Sequence, residues 1–166
     1  MKIENAKLYE EEIRRKFWKI CYDEKYQYYF GNSTRNDFGI DDGEFAFAVL
    51  NDKGELIGYI SYYVNEKIRL ASWFGAINFS NDKFTFAKAL RKVIDDCFMK
   101  FKMNTLEWLV VCGNPVEKSY DRICKKIGGR IIGVKRNRVI DMHGELHDEK
   151  FYEVTREDYV KAVHRK

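Results

Sequence analysis

Glu107 interrupts an otherwise apolar run, Leu106-Glu107-Trp108-Leu109-Val110-Val111-Cys112. A carboxylate set in such a run needs a partner or a raised pKa, which makes it a candidate general base, with an ion pair to a basic neighbour as the plainer alternative. Glu44 and His147 stand on other predicted strands and are the remaining candidates for that role. Tyr120 and Cys124 share one helix face, four residues apart. A phenol with an ordinary pKa of about 10 can donate a proton to a leaving group. A core tyrosine fits the apolar stripe around Tyr120 equally well, and Cys124 reads as packing. His143 and His147 are also four apart, but on a turn and a strand with no third ligand in view, so no metal is expected. Cys21, Cys97, Cys112 and Cys124 are scattered without a Cys-x-x-Cys pair, and buried reduced thiols are expected of them.

The elements that must position these groups follow from composition and periodicity. A chain of 166 residues with 45% hydrophobic and 16% aromatic content is expected to fold as a single domain, 1–166. No run reaches the roughly 20 apolar residues of a membrane span, and Met1 to Glu12 lacks the design of a secretory signal, so a cytoplasmic protein without a membrane partner is expected. A net charge of +4 suits a phosphorylated ligand and falls short of a nucleic-acid footprint. The basic tail from Lys161 to Lys166 reads as a solvated end.

Leu8 to Cys21 has helical spacing, acidic early and basic late. Tyr22 to Asp42 breaks that pattern with a tyrosine cluster, Tyr22, Tyr26, Tyr28 and Tyr29, and then a polar loop placed to close over a site. Glu44 to Leu50, Leu56 to Val64 and Ile68 to Ile77 read as an antiparallel meander turning at Asn51-Asp52-Lys53-Gly54 and at Asn65-Glu66-Lys67. Asp82 to Lys102 is an amphipathic helix, and the apolar run around Glu107 a strand buried on both faces and parallel to its predecessor. Asn114, Pro115 and Glu117 signal an N-cap, a first helical position and a capping box, and Gly128-Gly129 the stop. Arg130 to Asp141 and Leu146 to Thr155 close the chain as a hairpin.

Val110-Val111-Cys112-Gly113-Asn114, then Ser119-Tyr120, Gly128-Gly129 and the closing hairpin through Leu146-His147-Asp148-Glu149-Lys150-Phe151-Tyr152, are similar to the tail signature of the GNAT superfamily of acyl-CoA-dependent N-acyltransferases. The resemblance covers about Glu44 to Tyr159. It implies an α+β fold: a mixed, mostly antiparallel splayed sheet flanked by helices, whose parallel pair admits the pantetheine arm of acetyl-CoA as if it were a strand. It further implies phosphate contacts at Asn78, Phe79, Ser80, Asn81, Lys83, Phe84 and Thr85, arm contacts at Ile77, Asn114 and Ser119, and Tyr120 as the acid. The family loop, about Arg/Gln-x-x-Gly-x-Gly/Ala, falls on Asp82-Lys83-Phe84-Thr85-Phe86-Ala87, where only Ala87 fits. Phe84 and Phe86 stand where glycine lets the backbone approach phosphate. The activity implied is acetyl transfer from acetyl-CoA to a primary amine, with Tyr120 as a catalytic residue and no metal; Glu107, singled out by its place in the strand, is the second catalytic residue expected. The alternatives are an inactive GNAT-like binding or regulatory domain and, more remotely, a nucleic-acid-binding accessory protein. The resemblance leaves the acceptor, and a homodimer, open.

Overall fold

The computed structural model describes residues 1–20, 23, 38–141 and 143–164. The tyrosine cluster and Cys21 lie outside the described residues. Among the described residues seven strands form one sheet: β1 (Lys2–Asn5), β2 (Glu44–Leu50), β3 (Leu56–Asn65), β4 (Leu70–Asn78), β5 (Thr105–Val111), β6 (Arg130–Ile140) and β7 (Leu146–Thr155). Their order is β1-β2-β3-β4-β5-β7-β6, and only β4 and β5 are parallel. The helices are α1 (Glu10–Ile20), α2 (Lys83–Met99), α3 (Glu117–Lys126) and the short α4 (Arg156–Tyr159), which a wider turn continues over Val160–His164. No described helix is long and apolar enough to cross a membrane.

Lys2–Asn5, within the amino-terminal stretch that lacks a signal design, forms the edge strand β1, paired to β2 from Lys2↔Leu50 to Asn5↔Phe47. Its four residues are too few for a period to be read. The β2–β3 turn forms as its residues require. Asn51 Oδ1 accepts from the Lys53 and Glu55 amides, and Gly54 takes the left-handed φ of 81°.

The sheet has two unequal sides. Ala89, Val93, Ile94, Cys97 and Phe98 of α2 and Cys124 of α3 pack with Ile60, Tyr62, Leu106, Trp108, Tyr152 and Val154 in the larger core. On the other side Ile13 of α1 belongs to a smaller core with Ala6 and with residues of β2, β3 and β4, such as Ala48, Leu50, Tyr59 and Ile77. That smaller core holds no β5 residue, and although Val111 at its end is buried, β5 is not buried on both faces along its length as its apolar run predicts. Leu106, Trp108 and Val110 are buried while Glu107 and Leu109 are half-buried. The run reads as continuous because Leu109 and Val111 are apolar on the less covered side as well.

A second correction concerns α3. Asn114 does not cap it: the helix begins three residues later, at Glu117, and Val116 precedes it without a side-chain cap. Asn114 Oδ1 instead accepts from the Val116 amide at 3.0 Å, and Glu117 reaches back to the Gly113 amide at 3.0 Å rather than to Asn114. The signals mark the turn correctly, but proline and asparagine form the turn itself.

Candidate functional site

β4 and β5 share only two register pairs, Leu70↔Thr105 and Ala71↔Leu106. Immediately beyond, Trp73 takes a left-handed φ of 54°, and Trp73 and Phe74 together oppose Tyr62, because Ser72 pairs with Tyr63 and Gly75 with Ser61. This is a β-bulge, and it bends β4 away from β5. The gap is a cleft of about 170 Å³ lined by Trp73, Phe74, Gly75 and Ala76, by Leu109 to Val111, and by Asn114, Val116 and Tyr120. Ligand pockets for compact molecules run to about 300 Å³ or more, so this one suits a slender chain. Strands that part leave backbone donors and acceptors facing each other across the gap, and an amide-bearing arm can pair with them as an extra strand.

Tyr120 reaches this cleft from the α1-opposite side of the sheet, its ring edge-on to Tyr152 at 6.4 Å. It also walls a small apolar pocket with Phe74, Leu90, Trp108 and Ile123, so its place in the core stripe and its place in the cleft are both real. Cys124 does not line the cleft. It is 3% exposed beneath Gly129, where an added Cβ would stand 2.9 Å from its Sγ, and burial pushes its thiol pKa up. Cys97 is buried likewise, Cys112 is half-buried, and all three are free thiols. Ser119 is half-buried on α3 and is not part of the cleft wall.

Glu107 lies on the other face of β5, since its neighbours Leu106 and Trp108 point into the α2–α3 core. The residue opposite it is Glu153 of β7, and Glu153 in turn is opposite Arg130 of β6. Arg130 Nη2 pairs with Glu153 Oε1 at 2.6 Å. Among the described residues Glu107 has no such cation, so the expected ion pair gives way to a facing carboxylate. Burial first, and the charge of Glu153 second, hold the Glu107 pKa above the usual range. Further along the same face, Glu44 accepts from Tyr59 Oη at 2.7 Å and from the Asp41 amide at 3.2 Å. Tyr63 donates to Asp41 at 2.5 Å, and that bond chiefly pushes its pKa up to about 12. Of the rings on the meander, Tyr59, Tyr62 and Phe74 are buried, whereas Tyr63 is 36% and Trp73 is 66% exposed.

His147 lies past the end of β5, opposite Val139 on the β6–β7 hairpin, with Nε2 2.8 Å from Asp141 Oδ2. A third group does gather there, contrary to the sequence pattern: Asp141, Glu145 and His147 bring potential ligand atoms within 4.8 Å of one another. Asp141 is already engaged by the His143 and Glu145 amides and by His147, and these bonds, His147 foremost, lower its pKa to about 2. The group is the hydrogen-bonded turn of a hairpin.

The strand-to-helix loop 78–86 differs most from a phosphate cradle. Ile77 is 2% exposed in the α1-side core, and Phe79 packs there too, edge-on to Phe17 at 5.3 Å. Asn78 Oδ1 accepts from both the amide and the hydroxyl of Ser80 at 2.9 Å, and Ser80 Oγ accepts from the Asp82 amide at 3.1 Å. The Lys83 amide donates to Asn81 O at 2.9 Å, and the Thr85 amide to Asp82 Oδ1 at 2.9 Å. The Thr85 amide in particular holds the Asp82 pKa below the usual range. Asp82 thus caps α2, and an Asp ahead of an amphipathic run is a signal the sequence does carry. Phe84 is 70% exposed, with Lys88 Nζ 4.2 Å above its ring. Phe86 packs against Gly58 of β3, one side of its ring in the space a Cβ there would take.

No protein-family model matches the sequence, and no curated protein matches it. Solved structures do. The spermidine N-acetyltransferase from Vibrio cholerae in complex with CoA and spermine aligns over 96% of this chain and 97% of its own, with a TM-score of 0.75 at 17% identity. A GCN5-related N-acetyltransferase from Brucella melitensis aligns over 95% of this chain and 76% of its own, with a TM-score of 0.70 at 17% identity. The spermidine/spermine N-acetyltransferase from Vibrio cholerae in complex with manganese ions aligns over 92% and 78%, with a TM-score of 0.63 at 17% identity. The chain has the GNAT acetyltransferase fold, mixed α+β with a mostly antiparallel seven-stranded sheet.

Proposed function

We propose that the chain is an acetyl-CoA-dependent N-acetyltransferase acting on a primary amine by direct attack. The observation that carries this reading is the cleft between β4 and β5, which Tyr120 lines; Glu107 stands on β5 two residues before that lining begins, on the opposite face of the strand. In this reading a thioester threaded between the strands meets Tyr120 in the cleft, and the attacking amine arrives from the face of β5 that carries Glu107. Glu107, with its raised pKa, takes a proton from the amine, directly or through one water. The new C–N bond forms as the C–S bond breaks, and Tyr120 donates its hydroxyl proton to the departing thiolate. Asn114 and the parted strand edges hold the arm. Glu107 and Glu153 face each other across β5 and β7, an acidic pair that favours a cationic amine, and a structural neighbour in complex with CoA and spermine supports that class.

The test is calorimetric titration with acetyl-CoA, followed by a thiol-release assay with spermine as probe amine. Saturable binding and turnover are expected, with Tyr120→Phe lowering kcat by about 10²–10⁴-fold while binding is retained. No heat and no thermal shift at millimolar acetyl-CoA refutes the reading. A second reading, a non-catalytic domain on the same fold, is favoured by one observation, the loop without glycine. It requires binding of acetyl-CoA with no thiol released across a panel of amines.

A further inference from the structure

The donor reading divides in two when the parts of acetyl-CoA are set against the structure. The cleft between β4 and β5 fits a narrow arm. The α2 N-terminus does not fit a diphosphate. A helix N-terminus binds such a group through free amide hydrogens and the positive end of its dipole. Here the amides of Ser80, Asp82, Lys83 and Thr85 are all engaged by the loop itself. The group seated on the Thr85 amide is a carboxylate, so an incoming diphosphate meets both an occupied donor and a like charge. The stretch between Gly75 and Gly113 holds no glycine through which the backbone could approach phosphate more closely. The ring of Phe86, packed on Gly58, fixes the first turn of α2 from behind. Lys88, one turn into the helix, lies over the exposed Phe84 ring.

We infer that Asp82 is a donor-specificity residue: it stands in for the diphosphate at the α2 N-terminus, so that the donor is recognised through its acyl-pantetheine arm and its nucleotide contributes little. The inference rests on the acyl-thioester reading above and narrows it. Donors sharing the arm, whatever is attached beyond it, then compete on nearly equal terms.

The experiment compares acetyl-CoA with S-acetyl-pantetheine by calorimetry, on the wild type, Asp82→Asn and Asp82→Gly. Asparagine keeps an N-cap and removes the charge, whereas glycine removes both and costs a helix only a few tenths of a kcal/mol. The wild type is expected to bind the two donors within about tenfold of each other, a difference under about 1.4 kcal/mol. Asp82→Gly is expected to tighten acetyl-CoA by about tenfold or more and leave acetyl-pantetheine unchanged, with Asp82→Asn between them. A wild type that binds acetyl-CoA more than about 100-fold tighter than acetyl-pantetheine overturns this inference and leaves the acetyltransferase reading intact. A donor ratio unmoved by either substitution overturns it as well. Absence of binding by both donors to all three proteins removes the acetyltransferase reading, and this inference with it.

Discussion

Gly58→Ala measures how firmly the α2 N-terminus is tied to the sheet. A Cβ at position 58 would stand 2.3 Å from Phe86 Cε2, 2.5 Å from Cδ2 and 2.9 Å from the Ile77 carbonyl oxygen. Carbon atoms in ordinary contact are about 3.5 Å apart or more, so the ring would have to recede by over about 1 Å. It has little room, because Phe86 packs against the main core, and the carbonyl belongs to a strand held in register with β3. Overpacking costs about 1–3 kcal/mol, and a rigid backbone atom among the clashes puts this substitution in the upper half, about 2–3 kcal/mol. For a chain of this size each kcal/mol moves Tm by about 2–4 °C, so a fall of about 4–12 °C is expected. Urea denaturation gives the free energy and thermal unfolding the shift. Phe86→Leu in the Gly58→Ala background relieves the ring clash, and the two substitutions should couple by about 0.5–3 kcal/mol. A Gly58→Ala protein within about 0.5 kcal/mol of wild type, or two costs that simply add, would refute the packing argument.

Glu107→Gln should move stability and activity in opposite directions. The folded state holds the Glu107 proton to higher pH than the unfolded chain, so this residue costs stability as pH climbs from about 4.3, the unfolded value, through the folded one, and the cost persists above. The variant should be more stable than wild type at pH 7 and equal to it near pH 3, read as urea midpoints, while thiol release at pH 7 falls by about 10²–10⁴-fold. An unchanged rate would remove Glu107 from the base role, and equal midpoints at both pH values would contradict the raised pKa. Gly128 and Gly144 form a matched pair, with φ of 81° and 85°. Alanine at either incurs the left-handed cost of about 1–2 kcal/mol. At 128 its Cβ would also stand 2.7 Å from the Asp158 carbonyl oxygen, whereas at 144 nothing lies within 4 Å. Gly128→Ala should therefore cost at least about 1 kcal/mol more in urea unfolding. Equal costs would mean that the end of α3 is not pressed against α4.

Where one period dominates, sequence and structure agree. The β2–β3 turn, the helix that becomes α2 and the closing hairpin all stand within a few residues of their predicted places, since each satisfies its own local rule. Sequence reasoning fails where a contact distant in the chain decides. Glu107 looks buried on both faces because nothing local says that the α1-side core holds no β5 residue. Its facing carboxylate, Glu153, is 46 residues away and is fixed by register rather than pattern. Trp73 carries no mark of a bulge, and a tryptophan is a poor choice for a left-handed φ. Asn114, Pro115 and Glu117 are ordinary start signals, yet they form a turn ahead of α3, in which Asn114 holds the Val116 amide and Glu117 reaches the Gly113 amide instead of that of Asn114.

The cleft and the loop can diverge because different forces set them. A non-glycine residue in the left-handed region costs about 1–2 kcal/mol. Trp73, two-thirds exposed, regains little of that through its own burial. The ladder on either side must hold it: Ser72↔Tyr63 and Gly75↔Ser61 fix β4 to β3, while Leu106, Trp108 and Val110 anchor β5 in the core. The gap between the strands follows from those constraints, whatever residues occupy the turn after Asn78. The loop answers to other contacts: the cap at Asp82, Phe86 on Gly58, the Asn78–Ser80 bonds and Phe79 in the α1-side core. A loop without glycine can therefore stand beside an open cleft, and a donor held by its arm, as proposed, requires no change in the strands.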